Sequence, residues 1–214
     1  MAEPIGQAGW RLQDAAATAR LHPYTFWKPS DELVALLKPG DYVRLIFALT
    51  APGKDEPAGE RMWVEIIERN ETGFLGRLDN QPRYISDLPL GSIVAFEAMH
   101  IIDSSIDDPV PDPTLKWQPR CFATNRILKY GQKVGFFYRG EPYRPQDSGW
   151  RFMCGDENQD YMDDARNLKV VSLGAVLRQD DRMVDLLHHP APIAFEWDES
   201  GARFIPAAMP AEID

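Results

Sequence analysis

Five carboxylates fall close together in the run from Gly155 to Asp164: Asp156, Glu157, Asp160, Asp163 and Asp164. Groups of that kind do one of three things. They ligate a hard cation through oxygen, share a proton as an acid–base pair, or present a negative surface to water or a partner. The run lacks the loop glycine and terminal glutamate of an EF-hand, and nothing in its spacing raises the pKa of one acid above another. A solvated acidic face is the plainer expectation, a partner-binding surface the next, and catalysis the last. Tyr161 lies inside the run, and Trp150 and Arg151 lie just before it.

Other reactive side chains are sparse. Cys121 and Cys154 are the two cysteines, without metal-ligand spacing and too few for a disulfide framework. Carboxylates beside Cys154 raise a thiol pKa, which argues against a nucleophile there. His22 and His100 stand alone, and the adjacent pair His188-His189 points apart by about 100° on a helix, a poor arrangement for one metal ion. The chain has no phosphate-binding glycine loop, nucleophile elbow or HExxH helix. One stretch interleaves aromatic and basic residues: Tyr130, Phe136, Phe137, Tyr138, Arg139, Tyr143, Arg144 and Trp150. Such a band stacks on flat ligands or single strands. More commonly it is a sheet with aromatics inward and arginines outward, with Trp150, Phe152 and Trp197 in a core.

The 214-residue chain carries 23 basic and 33 acidic side chains, for a net charge of −10. That excess excludes general nucleic-acid binding, which needs clustered cations to displace counterions. The charge is blocked along the chain: residues 1–112 carry −8, residues 113–151 carry +6, and residues 152–214 carry −8. No apolar run approaches the roughly 20 residues of a membrane span, and the first residues hold no apolar segment of a secretory signal. A cytoplasmic protein with reduced thiols is the expectation.

Turn chemistry divides the chain. Pro109, Pro111 and Pro113, set among aspartates, remove backbone donors and favour extended backbone. Hence the expected organisation: an N-terminal domain over 1–105, a Pro/Asp-rich linker over 106–119, and a C-terminal domain over 120–214. Before the linker, Asp14–Ala19 and a helix capped by Ser30 precede five short strands, at 42–49, 62–68, 74–78, 92–96 and 99–102. Asn70-Glu71-Thr72-Gly73 reads as a hairpin turn. After the linker, 121–128 is a strand or a short helix, and strands follow near 134–139 and 150–154. Ser172 caps a helix over 173–177, Asp180 caps another over 181–188, and a hairpin closes the chain around Asp198–Gly201. The fold class is α+β in two small domains. The first is mostly antiparallel β, a curved sheet or partial barrel with short helices; the second is mixed α+β.

An ordered series of short matches runs through Ser148-Gly-Trp-Arg-Phe152, Gly155-Asp-Glu157, Tyr161, Asp163-Asp164, Asn167, Ser172-Leu-Gly174, Leu177 and Ala194-Phe-Glu-Trp-Asp198. Over about Phe122–Asp198 it resembles the immunity protein 33 family, also described as domain of unknown function 2185. In the N-terminal half, Gly40–Arg44, Glu60–Val64, Gly76–Pro82, Leu90-Gly91 and His100–Asp103 resemble the domain of unknown function 2314 family. The first resemblance implies a bacterial cytoplasmic protein that binds a cognate toxin's effector domain and blocks it stoichiometrically, without catalysis, cofactor or metal. It also implies no nucleic-acid or membrane partner. An acidic surface suits a basic toxin. The expected contact residues are Asp156, Glu157, Asp160, Tyr161, Asp163 and Asp164, with Trp150 and Arg151 beside them. Two alternatives stand: a regulatory module that binds a small molecule or peptide through the aromatic band, and a hydrolase using Asp156, Glu157 and Asp160 with a divalent ion.

Overall fold

Side-chain caps fix where the first two helices begin. In the computed structural model, which describes residues 9–210, strand β1 (Trp10–Leu12) leads into helix α1 (Ala15–Leu21), whose first turn donates Ala17 N–H to the Asp14 carboxylate at 2.7 Å. Helix α2 (Asp31–Leu36) starts on Ser30, whose hydroxyl oxygen accepts from Leu33 N–H at 2.9 Å. The same hydroxyl donates to Asp108 at 2.6 Å, and Ser30 N–H donates to that carboxylate at 2.8 Å. The proline-rich segment is thereby tied to the start of α2.

Five antiparallel strands follow: β2 (Tyr42–Leu49), β3 (Gly59–Asn70), β4 (Gly73–Leu78), β5 (Ile93–Phe96) and β6 (Ile101–Ser104). The sheet order is β1-β2-β3-β4-β5, with β6 also on β2, and the sheet curls into a half-barrel. Alternation puts Val43, Leu45 and Phe47 of β2 and Met62, Val64 and Ile66 of β3 inside, against Leu33 of α2 and Leu37 just after it. Asn70 closes the β3–β4 turn by accepting from Thr72 and Gly73 N–H, both at 3.0 Å. Two details differ from expectation. β1 adds a strand, and residues 98–100 form a 3-10 turn, so the last strand begins at Ile101.

The chain separates into two compact units: residues up to 22 together with 26–113, and residues 23–25 together with those from 114 onward. The outermost residues of the expected domains, 1–8 and 211–214, lie outside the described residues. The second unit holds β7 (Arg120–Thr124), α3 (Asn125–Leu128), β8 (Phe136–Arg139), β9 (Asp147–Met153), α4 (Gln159–Asp163), β10 (Leu168–Ser172), α5 (Leu173–Leu177), β11 (Ile193–Asp198) and β12 (Arg203–Ala207). Its sheet order is β10-β7-β9-β8-β11-β12. Only the β7–β9 pairing is parallel, which makes the sheet mixed. The ambiguous stretch 121–128 is both of the expected things, strand to Thr124 and helix from Asn125.

One face of this sheet is core. Cys121 and Ala123 of β7, Trp150 and Phe152 of β9, Phe137 of β8 and Phe195 of β11 pack against Ile127, Leu173, Val176, Leu177 and Met183. Phe137 sits at the centre, 5.1 to 5.7 Å from the rings of Trp150, Phe152 and Phe195. The alternate residues Phe122, Arg151, Tyr138, Phe136, Met153 and Glu196 therefore occupy the other face.

The expected helix over 181–188 does not form. Residues 181–189 are a series of turns with a single 3-10 turn at Val184–Leu186. Asp180 does not cap a helix, because its carboxylate turns inward and accepts from Val134 N–H at 3.0 Å and from the Arg182 guanidinium at 2.7 Å. Met183 and Leu187 still reach the core, so the apolar pattern was satisfied by another backbone path.

Candidate functional site

The carboxylate loop is built from its own side chains. After β9, Gly155 takes a left-handed φ of +94° and the chain reverses. Glu157 fastens the turn: one carboxylate oxygen accepts from Cys154 N–H at 2.8 Å and from the Thr124 hydroxyl at 2.9 Å, and the other accepts from Gly155 N–H at 2.8 Å. Asn158 then caps α4 by accepting from Tyr161 N–H at 2.9 Å. The bonds from Cys154, Gly155 and Tyr161 N–H satisfy backbone donors that the reversal would otherwise leave open.

The other acids divide by partner. Asp156 pairs with Arg126 at 2.7 Å, and that guanidinium holds its carboxyl below the usual range. Asp164 pairs with Arg166 at 2.7 Å, and its hydrogen bonds to that side chain and backbone hold it at about 2. Asp163 accepts from Gln159 at 2.7 Å, and Asp160 is exposed at the start of α4. Tyr161 is half-buried, with its hydroxyl enclosed, and burial raises its pKa.

Beside the loop lies a cavity of about 460 Å³. Phe136, Met153, Met162 and Trp197 give it apolar walls, and the carboxylates of Asp156, Glu157, Glu196 and Glu199 line it. Among the described residues, the carboxylates of Glu196 and Glu199 have no ion-pair or hydrogen-bond partner. Gly135 lines it as well, and a Cβ there would collide with the Cys154 carbonyl oxygen, so the β8 and β9 backbones approach as closely as glycine allows. The Cys154 thiol also lines the cavity; burial first and the Glu157 charge second push it up to about 11. It is a thiol at neutral pH and a poor nucleophile.

An ion pair whose carboxylate is fully buried braces this wall. Arg182 lies 3.9 Å from the Trp197 ring centroid and donates to Val134 O at 2.8 Å, while its partner Asp180 accepts from Val134 N–H. Trp197 N–H in turn donates to Gly135 O at 2.7 Å. The pair thus joins the chain entering β8 to β11.

Of the residues singled out by sequence, the structure brings Asp156 and Glu157 to the cavity, while Asp160, Tyr161, Asp163 and Asp164 stand on the loop outside its lining. Trp150 is 1% exposed and belongs to the core, with no surface to offer a partner. Arg151 is also buried, paired with Asp147 at 2.7 Å and turned to the other end of the outer face. Sequence reading missed Glu196 and Glu199. The available signal was the lone polar position in Ile193-Ala-Phe-Glu196-Trp, which alternation places on the solvent face.

Among the described residues, no group of three or more His, Cys, Asp or Glu is placed to hold a metal ion, and no helix is long and apolar enough to cross a membrane. Neither the curated proteins nor the solved structures gave a match. The segment that carries the loop, the cavity and the buried pair does match: residues 121–205 fit the family model described as the Immunity protein Imm33 domain.

Proposed function

We propose that the chain is an immunity-type protein that neutralises a cognate bacterial toxin by stoichiometric binding, without chemistry of its own. The observation that carries this reading is the match of residues 121–205 to the Imm33 domain. The contact surface in this reading is the acidic cavity with the adjoining loop, including Asp160, Tyr161, Asp163 and Asp164. Its occupant is a basic side chain, because four acidic residues line the cavity and the Glu196 and Glu199 carboxylates have no partner among the described residues. The toxin in this reading is a basic effector domain acting in the same cytoplasm. A hydrolase reading fares worse: Asp156 is already paired with Arg126, and both oxygens of Glu157 are engaged by backbone donors.

The test is co-expression with the effector domain encoded beside this gene. Rescue of growth and recovery of a one-to-one complex are expected, and Glu196→Lys with Glu199→Lys abolishes both while leaving the fold intact. Failure of the unaltered protein to bind or to rescue overturns the immunity reading. Rescue that survives the double lysine variant overturns the assignment of the cavity.

A further inference from the structure

The outer face of the second sheet carries a second cavity, of about 560 Å³, at the end away from Glu196. Its walls are Phe122, Tyr143 and Val170, with Arg120 and Arg144 at its margin. Register places Val170, Phe122 and Arg151 in one row across β10, β7 and β9. The Arg151 guanidinium lies 4.6 Å from the Phe122 ring centroid and 5.1 Å from that of Tyr143, so one stack joins strand and loop. Tyr143 is nevertheless 80% exposed and Val170 56% exposed. Both are large apolar surfaces that water covers poorly.

Charge selects what fits. Asp147 lines the cavity, but Arg151 grips both of its oxygens at 2.9 and 2.7 Å, and Tyr143 N–H and Gly149 N–H donate to it at 3.0 Å each. That carboxylate is spent within the wall. Arg120 and Arg144 have no ion-pair or side-chain hydrogen-bond partner among the described residues. Two arginines without such a partner therefore line an aromatic and aliphatic pocket. Cys121 adds no reactivity, since its thiol is buried in the core and pushed up to about 12.

We infer that this pocket binds a carboxylate carried on a flat apolar body, the ring against Phe122, Tyr143 and Val170 and the carboxylate against Arg120 and Arg144. Arginine suits the role because its planar fork takes a carboxylate through two parallel bonds. The ligand is non-covalent. It does not depend on the proposed toxin contact, which is acidic and lies at the other end of the same face. Two sources carry this chemistry: a free aromatic acid, or neighbouring acidic and aromatic side chains of a peptide.

A backbone amide NMR titration separates them. The probes are N-acetyl-tryptophan, its uncharged amide, and the capped peptide acetyl-Gly-Glu-Trp-Gly-amide. Saturable shifts are expected at Phe122, Tyr143 and Val170, with half-saturation on the order of 1 mM for a fragment of this size. The neutral amide binds at least about tenfold more weakly, and Arg120→Gln with Arg144→Gln gives the same loss for the charged probes. Because neither guanidinium has a partner, that double variant keeps its melting temperature, which excludes misfolding as the cause. Tighter binding of the free acid assigns a small-molecule source, and tighter binding of the peptide assigns a peptide source. Equal binding of acid and amide overturns the inference, as does the absence of saturable shifts at these residues with either charged probe.

Discussion

Asp180 and the loop at 156–164 are both acidic, both in the second unit and both paired with arginine, yet they do opposite work. The Asp180 side chain is 0% exposed and bonds to the backbone of Val134 as well as to Arg182. Asp156 and Asp164 meet their arginines at the same 2.7 Å, but with carboxylates 71% and 32% exposed. Distance does not distinguish these pairs; the surrounding medium does. A buried carboxylate that loses its partner strands a charge or a donor in low dielectric, whereas an exposed one is resolvated at once.

The sharpest way to break this contrast is Asp180→Ala. It leaves Val134 N–H without an acceptor and Arg182 without its counter-charge over Trp197. A loss of about 3–5 kcal/mol is expected from chemical denaturation, a large part of a typical domain's stability. A midpoint shift no larger than that of a surface mutant would put Asp180 in the same class as the loop.

Glu157 tests the middle ground, since it belongs to the loop in sequence and to the structure in its bonds. Glu157→Gln keeps one acceptor oxygen and sets an NH2 group against backbone donors, at a cost of about 1–3 kcal/mol. It also removes a negative charge that raises the Cys154 pKa. Alkylation of Cys154 by iodoacetamide at pH 8 should accelerate in this variant, and an unchanged rate would show that burial alone sets the thiol. Asp147 supplies a pH signature. Burial raises its pKa, but the Arg151 bonds and the amides of Tyr143 and Gly149 outweigh that and hold it at about 2, below the ordinary 3.8. A depressed carboxylate stabilises the fold above its unfolded pKa and loses that contribution as pH falls through its folded one. Acid titration should therefore remove on the order of 2 kcal/mol between about pH 4 and pH 2, and Arg151→Gln should abolish that limb of the curve.

Local chemistry was legible in the sequence wherever it is short-range. The Ser30 and Ser172 caps, the Asn70 turn and the closing hairpin each depend on residues within four positions of one another, and each stands as expected. The α+β class followed from those elements. What stayed hidden is long-range. β1 has three residues, too few to show a period, and exists because β2 offers it an edge. The failed helix at 181–188 has the right apolar spacing, but Asp180 finds Val134, 46 residues away, a better partner than the backbone it precedes. The acidic loop was visible as composition, whereas the cavity was not. Its lining joins β8, β9, α4 and β11, and only their pairing brings Glu196 and Glu199 to Asp156. Trp150 and Arg151 lie side by side in sequence, yet the pleat sends one to the core and the other to the opposite face.

The smallest expected effect on folding comes from the loop itself, and there the comparison is most informative. Asp160→Asn with Asp163→Asn should leave the denaturation midpoint where it is, because water replaces what each loses. Their effect belongs to binding of a basic partner. Exposed carboxylates steer association, so this loop variant should slow the on-rate at low salt and match the unaltered protein once salt shortens the screening length to about 3 Å near 1 M. Glu196→Gln with Glu199→Gln should behave differently, since these acids line a cavity that a bound side chain would close off from solvent. Their loss should appear in the off-rate and persist at high salt. If both variants fade equally with salt, the partner touches the loop and never enters the cavity. If only the loop variant fades, the two acidic surfaces have separate roles in one encounter: the loop draws the partner in, and the cavity holds it.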